Sequence, residues 1–320
     1  MTHAAQDDRY LDILAIGEVN PDIVVRATDP RPVFGQVERW VDRIELVIGS
    51  SAVIFACAAA RLGLRMAMVG VVGDDALGRF IVSAMAERGV DPSDVMVHPT
   101  IPTGASVHLS GPSDRAILTA AGTMPLLTVA QVPARSIARA RHVHVSSVFL
   151  LDAARPDLPG LLRSVRAGGG TTSVDCNWDP RETWDGGLRA ILAETDVFLP
   201  NAIEATKITG VKDVAEAAMA LVALGPRIVA VKLGEDGALV ATAAGELIRV
   251  PALPVEPLET TGAGDSFDAG FLAGWLEGRS LVDCLSLGAV CGALSTLGIG
   301  GTATQPTMAE AMTALEGWSR

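Results

Sequence analysis

The feature that most restricts how this chain can fold is an alternation of short apolar runs with amphipathic helical stretches. The apolar runs are Leu11–Gly17, Met66–Val72, His142–Ser146, Thr172–Asp175, Val197–Leu199 and Ile228–Leu233. Between several of them, Ser51–Leu62, Leu77–Arg88, Leu158–Ala167 and Val214–Leu224 carry apolar residues at helical spacing. Continuous apolar strands alternating with helices predict an α/β fold, with a parallel sheet covered on both faces. At 320 residues, 49% apolar and only 19% charged, the chain fills the core of one large domain or two small ones. Two segments break the alternation. Residues 33–48 and 103–119 read as short, mixed strands, the second turning at Gly111-Pro112-Ser113-Asp114. They form either a small β-lid or edge strands of the main sheet. Gly168-Gly169-Gly170 reads as a helix-to-strand turn. In such sheets ligands gather beyond the carboxyl ends of the strands.

Charge and composition exclude several classes. Lysine occurs only at 207, 212 and 232, and the net charge is −12. Nucleic-acid binding needs clustered Lys and Arg, so no nucleic-acid partner is expected. Backbone amides can still hold a small phosphorylated ligand. The longest wholly apolar run, Ala52–Ala60, is too short to span a membrane, and Met1–Asp8 has no signal-peptide pattern. No membrane partner and a cytoplasmic location are therefore expected. Cys57, Cys176, Cys284 and Cys291 lie in apolar surroundings without Cys-x-x-Cys spacing, which suits free buried thiols. His142 and His144 alternate along a strand without metal-ligand spacing and read as structural. The Gly-x-Gly-x-x-Gly fingerprint of a dinucleotide-binding dehydrogenase is missing, and no Gly-Lys pair exists for a P-loop.

Residues 259–270 read Glu-Thr-Thr-Gly-Ala-Gly-Asp-Ser-Phe-Asp-Ala-Gly, and a helical stripe of Phe267, Phe271 and Trp275 follows. A small-residue loop opening a helix aims free N–H groups at one point, where the helix dipole also favours an anion such as phosphate. Asp265 sits at its mouth, either as an ordinary cap or as a base for a phosphate acceptor. As a surface carboxylate near pKa 4 it would be a modest base.

This run resembles the C-terminal signature of the ribokinase-like (PfkB-type) sugar kinases, Asp-Thr-Thr-Gly-Ala-Gly-Asp, with Glu259 replacing the leading Asp. The resemblance covers roughly residues 11–307. It implies a ribokinase-like three-layer sandwich, with a mainly parallel central sheet and a small β-lid. It implies one kinase domain over 10–320, lid segments at about 33–48 and 101–120, and a disordered tail over 1–9. Asp265 matches the family's catalytic base, and Gly262, Ala263 and Gly264 match its anion hole. ATP and Mg²⁺ are the implied cofactors. K⁺ is a further candidate, with Glu259 as its ligand. The partners implied are a small-molecule substrate and ATP, with a homodimer through the lid left open.

Other stretches extend the match. Asn20 and Asp22 fall on the family's Asn-x-Asp, which holds substrate hydroxyls, although both are also common turn formers. Ile48–Gly63 and Val69–Gly78 follow the N-terminal signature. Gly49 matches its first Gly, Ser50 replaces the second, and Ile54 stands where a sugar-binding Asn is usual. Ile54 cannot hydrogen-bond a hydroxyl, so the substrate is less hydroxylated on that side or held differently. Asp175-Cys176-Asn177-Trp178-Asp179-Pro180-Arg181 with Trp184 resembles a segment of 2-keto-3-deoxygluconate and fructose kinases. Arg181 is a partner for a substrate carboxylate or nucleotide phosphate, or a surface salt bridge. Asn201 and Glu204 match an Asn-x-x-Glu motif that would hold Mg²⁺ through water, and Asn201 also falls with the nucleotide contacts. The alternative for this pair is a helix cap. Lys232, Gly234 and Gly237 match the nucleotide-binding (Thr/Lys)-x-Gly-x-x-Gly segment, against a plain hairpin turn at Asp236-Gly237. Ala289, Ala293 and Gly300-Gly301 fall where adenine or a monovalent cation would be bordered.

The expectation is an ATP-dependent kinase acting on a hydroxyl of a small sugar or sugar acid like 2-keto-3-deoxygluconate, fructose or ribose. The alternatives are a nucleoside kinase on the same fold and a non-catalytic sugar or nucleotide sensor.

Overall fold

The computed structural model describes residues 10–111 and 115–318. The expected tail over 1–9 and most of the Gly111–Asp114 turn lie outside them. The strands are β1 Leu11–Ile16, β2 Pro21–Arg26, β3 Arg43–Ile48, β4 Met66–Gly73, β5 Val90–His98, β6 Ala105–Ser110 and β7 Arg115–Ala120, followed by β8 Ala140–Val145, β9 Thr171–Val174, β10 Val197–Phe198, β11 Ile228–Lys232, β12 Ala238–Thr242 and β13 Leu247–Val250. The helices are α1 Ser51–Arg61, α2 Ala76–Glu87, α3 Ala134–Arg139, α4 Leu158–Ala167 and α5 Leu188–Leu192, then α6 Ala202–Thr209, α7 Val214–Val222, α8 Ala263–Leu276, α9 Leu281–Ser295 and α10 Met308–Trp318.

The large sheet has the order β13-β12-β11-β10-β9-β8-β1-β4-β5. From β11 to β5 every pairing is parallel, and β12 and β13 close that edge antiparallel. Alternation along β1 shows why its whole length is apolar. Ile13 and Ala15 enter a core shared with Phe55, Ile81, Phe271, Leu285 and Ala311 from α1, α2, α8, α9 and α10. Leu14 and Ile16 enter the other core, with Leu161, Leu188, Ala205 and Leu221 from α4, α5, α6 and α7. Two helical layers over one sheet make the expected three-layer sandwich.

A second sheet, ordered β3-β2-β6-β7, is the lid. It differs from the expectation in two ways. Only Arg43–Ile48 of the first segment is strand, since 33–42 lack a regular partner and leave Phe34 and Trp40 almost fully exposed. The missing strand is β2, which begins on Pro21 and Asp22. Pro is tolerated as a strand's first residue, so these turn-forming types hid a real strand. The lid is thus rooted in the loop that follows β1.

Candidate active site

The chain segments leaving β1, β8, β9, β10 and β11 converge with the start of α8. Gly262 takes φ +76°, and a Cβ there would stand 2.8 Å from Gly301 Cα and from Ile54 Cγ2, so only glycine fits the turn. Ile54 is therefore packed beneath this loop and buried. Ala263 N donates to Thr260 O at 3.3 Å, and Ser266 N to Gly262 O at 2.9 Å. That removes Ala263 from the expected anion hole. The amides of Gly264 and Asp265 carry no backbone acceptor among these loop contacts and open the helix N-terminus.

Asp265 is buried, which corrects its reading as a surface carboxylate. Burial raises its pKa well above the usual range, and nearby Asp175 and Glu18 add to this against the opposing pull of Lys232 and a Ser51 hydrogen bond. The result is a stronger base than a surface aspartate.

Beside α8 lies a cavity of about 570 Å³. Gly234, Gly237, Thr260, Gly264 and Lys232 border one side, and Ala252, Leu253, Pro254, Val255, Ala289 and Ala293 form an apolar wall. The hairpin at Asp236-Gly237 is formed, as β11 pairs antiparallel with β12, and its glycines line the cavity as well. Lys232 Nζ reaches into the acidic cluster, 3.0 and 3.1 Å from the two Asp268 oxygens and 3.4 Å from Asp175 Oδ2. Burial works against its charge, but Asp175, Asp268 and Glu204 outweigh that and raise its pKa. Lys232 is thus a fixed ammonium between the cavity and Asp265.

Asn201 and Glu204 form the reciprocal helix cap. Asn201 N and Nδ2 donate to the Glu204 carboxylate at 2.8 and 2.7 Å, while Glu204 N donates back at 2.9 Å. The same carboxylate, pushed up to about 7 by burial and by Asp175, stands within one ligand sphere of Asp175 and Cys176. Glu259 accepts from Thr261 Oγ1 at 2.7 Å and from Gly300 N at 2.8 Å, so its carboxylate braces the loop beneath Gly262.

Asp265 also neighbours a cluster of polar side chains through Ser51 and Glu18. Asp22 Oδ2 lies 3.2 Å from His108 Nε2 of β6, and Asn20 Nδ2 lies 3.4 Å from Asp22 Oδ1. A Cβ on Gly49 would come within 2.2 Å of Asp22 Oδ1, so this glycine gives Asp22 its place. Ser50 keeps the left-handed turn of the glycine it replaces (φ +67°), its hydroxyl accepting from Val53 N as the α1 cap and donating to Glu18 O. Glu18 Oε1 accepts from Ser51 N at 2.9 Å and Ser147 Oγ at 3.1 Å. Asn177 Nδ2 bridges Ser51 Oγ and Ser147 Oγ at 3.0 and 3.2 Å. Ser147 and Asn177 are left-handed too, with φ +52° and +57°. Such strain concentrates at functional sites.

Sequence reasoning assigned no role to Glu18, Ser51, His108, Ser147, Asn177 and Asp268. A signal existed for three of them, since Glu18, Ser147 and Asn177 each closely follow an apolar run read as a strand. Arg181 lies away from this cluster. It pairs with Asp152 at 2.8 Å and is largely exposed, which is the surface salt bridge of the two alternatives. His142 and His144 are core groups bonded to Ser173, and burial lowers both pKa values. The four cysteines are free and buried.

A largely apolar cavity bordered by Gly264 and Lys232, beside a buried polar cluster around Asp265 at the start of α8, is the arrangement of a small-molecule-binding α/β enzyme. The chain belongs to the pfkB family of carbohydrate kinases, whose profile matches residues 11–308. It is 31% identical over 263 residues to the 2-dehydro-3-deoxygluconokinase of Bacillus subtilis, covering 79% of this chain and 81% of that one. It is 31% identical over 297 residues to an ATP-dependent ribose-1-phosphate kinase of Halopiger xanaduensis, covering 92% and 95%. An E. coli protein provisionally assigned as ribokinase II and solved with ATP and Mg²⁺ superposes with a TM-score of 0.83 at 24% identity, covering 96% and 99%. Carbohydrate kinase activity follows from this membership. Among the described residues no helix is long and apolar enough to cross a membrane.

Proposed function

We propose that the chain transfers the γ-phosphate of ATP to a hydroxyl of a small sugar or sugar acid, with Asp265 as general base. The supporting observation is the position of Asp265, a buried carboxylate of raised pKa in the first turn of α8, next to Gly264 of the cavity lining and within hydrogen-bonding reach of Ser51. Nucleotide occupies the cavity, its base against the apolar wall and its phosphates toward Gly264 and Lys232. The acceptor lies beside Asn20 and Asp22. Asp265 takes the hydroxyl proton as that oxygen bonds the γ-phosphorus and the bond to the β-bridging oxygen breaks, releasing ADP. The Gly264 and Asp265 amides face the charge that builds on the transferred group. Buried Asp175 and Glu204, with half-buried Asn201, suit Mg²⁺ held through water, and Mg²⁺ would supply charge neutralisation on the phosphates. The lid encloses the acceptor and excludes water as a competing acceptor. The lid face opposite Asp22 is apolar, with Ile23, Val25, Ile44, Leu46, Val107, Leu109 and Leu118, and supports pairing with a second copy.

Asp265→Asn should lower kcat by at least ~10²-fold with nucleotide KM little changed, the scale of losing a general base. An ADP-release assay over ketoses, pentoses and keto-sugar acids measures this. Near-normal turnover by the variant would remove Asp265 from its role.

A further inference from the structure

One stretch of the N-terminal signature, Gly73-Asp74-Asp75-Ala76-Leu77-Gly78, lines no part of the cavity. It sits at the root of the lid instead. β4 ends at Gly73, α2 begins at Ala76, and Asp75 between them holds Thr103, which precedes the lid strand β6. Asp75 Oδ1 accepts from Gly78 N and from Thr103 Oγ1, both at 2.8 Å, and Oδ2 accepts from Thr103 N at 2.8 Å. Thr103 Oγ1 accepts in turn from Gly73 N at 2.8 Å. Capping α2 needs only the bond from Gly78. The other bonds join the lid to the body.

The packing at this root is tight. A Cβ on Gly78 would stand 2.3 Å from Gly73 O and 2.8 Å from Thr103 Oγ1. β7 leaves the lid beside the same point. Gly122 takes φ +48°, and a Cβ there would stand 2.4 Å from Pro102 O. Buried Thr123 then donates its hydroxyl to Val71 O of β4 at 2.9 Å. Both ends of the β6–β7 arm are thus tied to β4 and to the start of α2. From the root, β6 runs to the proposed acceptor contacts. Its Ser106 is paired in register with Asp22 of β2, and its His108 places Nε2 3.2 Å from Asp22 Oδ2.

Building on the kinase reading, we propose that Asp75 is a positioning residue for the acceptor: acting through Thr103, it fixes the root of β6 and so holds His108 and Asp22 in place. A carboxylate that accepts from both the amide and the hydroxyl of one threonine is a stiff link, because hydrogen bonds to a charged acceptor are short and strong. A residue with a single short acceptor arm caps α2 but does not hold Thr103 as well. Without the link the β6–β7 arm is free to settle away from Asp22. That misplaces the acceptor and admits water as a competitor for the phosphoryl group.

The test compares Asp75→Ser, which keeps a cap for α2, with Thr103→Val, which keeps the cap and the shape of residue 103 but removes its hydroxyl. The acceptor is whichever of the ketoses, pentoses and keto-sugar acids wild type turns over fastest. Both variants should raise acceptor KM about tenfold or more and leave ATP KM within about twofold. Both should also release more ADP when no acceptor is present. Thr103→Ser keeps the hydroxyl and should stay within about twofold of wild type. Folded variants with a lowered melting temperature but unchanged acceptor KM and ADP release would overturn the proposal, as would an equal rise in both KM values. Hydrogen exchange on wild type needs no variant. Acceptor binding should slow exchange at the Gly73 and Thr103 amides together with those of β6, and slowing confined to β6 would overturn the proposal. Wild-type enzyme that phosphorylates none of these acceptors would overturn the kinase reading and this proposal with it, whereas the other outcomes overturn the proposal alone.

Discussion

Gly49 shows how a residue without a side chain can set a substrate contact. Alanine there would thrust a methyl into the Asp22 carboxylate, 2.2 Å from Oδ1. Gly49→Ala should raise acceptor KM about tenfold or more with nucleotide KM unchanged, because small misplacements at a site are costly. Steady-state kinetics in both substrates would show it. Asp265 carries a pH signature. A base must be ionised to act, so the acid limb of kcat/KM should lie above the ordinary aspartate range, displaced by burial and Asp175. A limb near pH 4 would contradict this. Glu18 and Glu204 give a matching stability signature. Both are raised from 4.5 to about 7, so between those values the folded state holds more protons than the unfolded state. Their contribution is full below pH 4.5 and is lost as pH rises through 7. The melting temperature should therefore fall across that window, and Glu18→Gln should flatten the fall.

At the scale of elements, β11 and α8 are tied by Lys232 and Asp268. Lys232→Met leaves buried carboxylates without their cation and should cost about 3–5 kcal/mol of unfolding free energy. Adding Asp268→Leu should recover much of the stability but not nucleotide affinity, which denaturation and titration would separate. The elements themselves were largely legible in the sequence. The run Leu158–Ala167 and the helix Leu158–Ala167 coincide, and the strand after Leu11 ends within a residue of its expected limit. Buried parallel strands are continuous apolar runs, so their identity survives in the sequence. For the candidate site, glycine and motif drew attention to 262–265 and 234–237, and Gly234, Gly237 and Gly264 line the cavity. It was not legible at Ser50, Ser147 and Asn177, because residue type does not disclose a left-handed φ in Ser or Asn. Nor does it show that Ala263 N turns back to Thr260.

At the scale of the whole molecule, the lid was visible only in outline. Its inner strand was hidden by Pro21 and Asp22, and only the register of β2 with β3 and β6 shows its apolar outer face. Ile44→Asp with Leu118→Asp should convert a dimer to a monomer in sedimentation velocity, since charges do not tolerate burial in an apolar interface. A wild-type monomer at micromolar concentration would refute the pairing. In the proposed function, the polar cluster and the cavity near Asp265 would recognise their guests by different means. The first would read individual polar atoms with carboxylates and hydroxyls, while the second would meet a nucleotide base with Ala252, Leu253, Pro254, Val255, Ala289 and Ala293. A wall of that kind senses flatness and thickness, and the cavity has few polar side chains, Lys232, Glu235, Thr260 and Thr296, with which to tell an amino group from a carbonyl on a purine rim. The enzyme should therefore be exacting about what it phosphorylates and lax about its donor, accepting GTP or ITP at rates within about an order of magnitude of ATP.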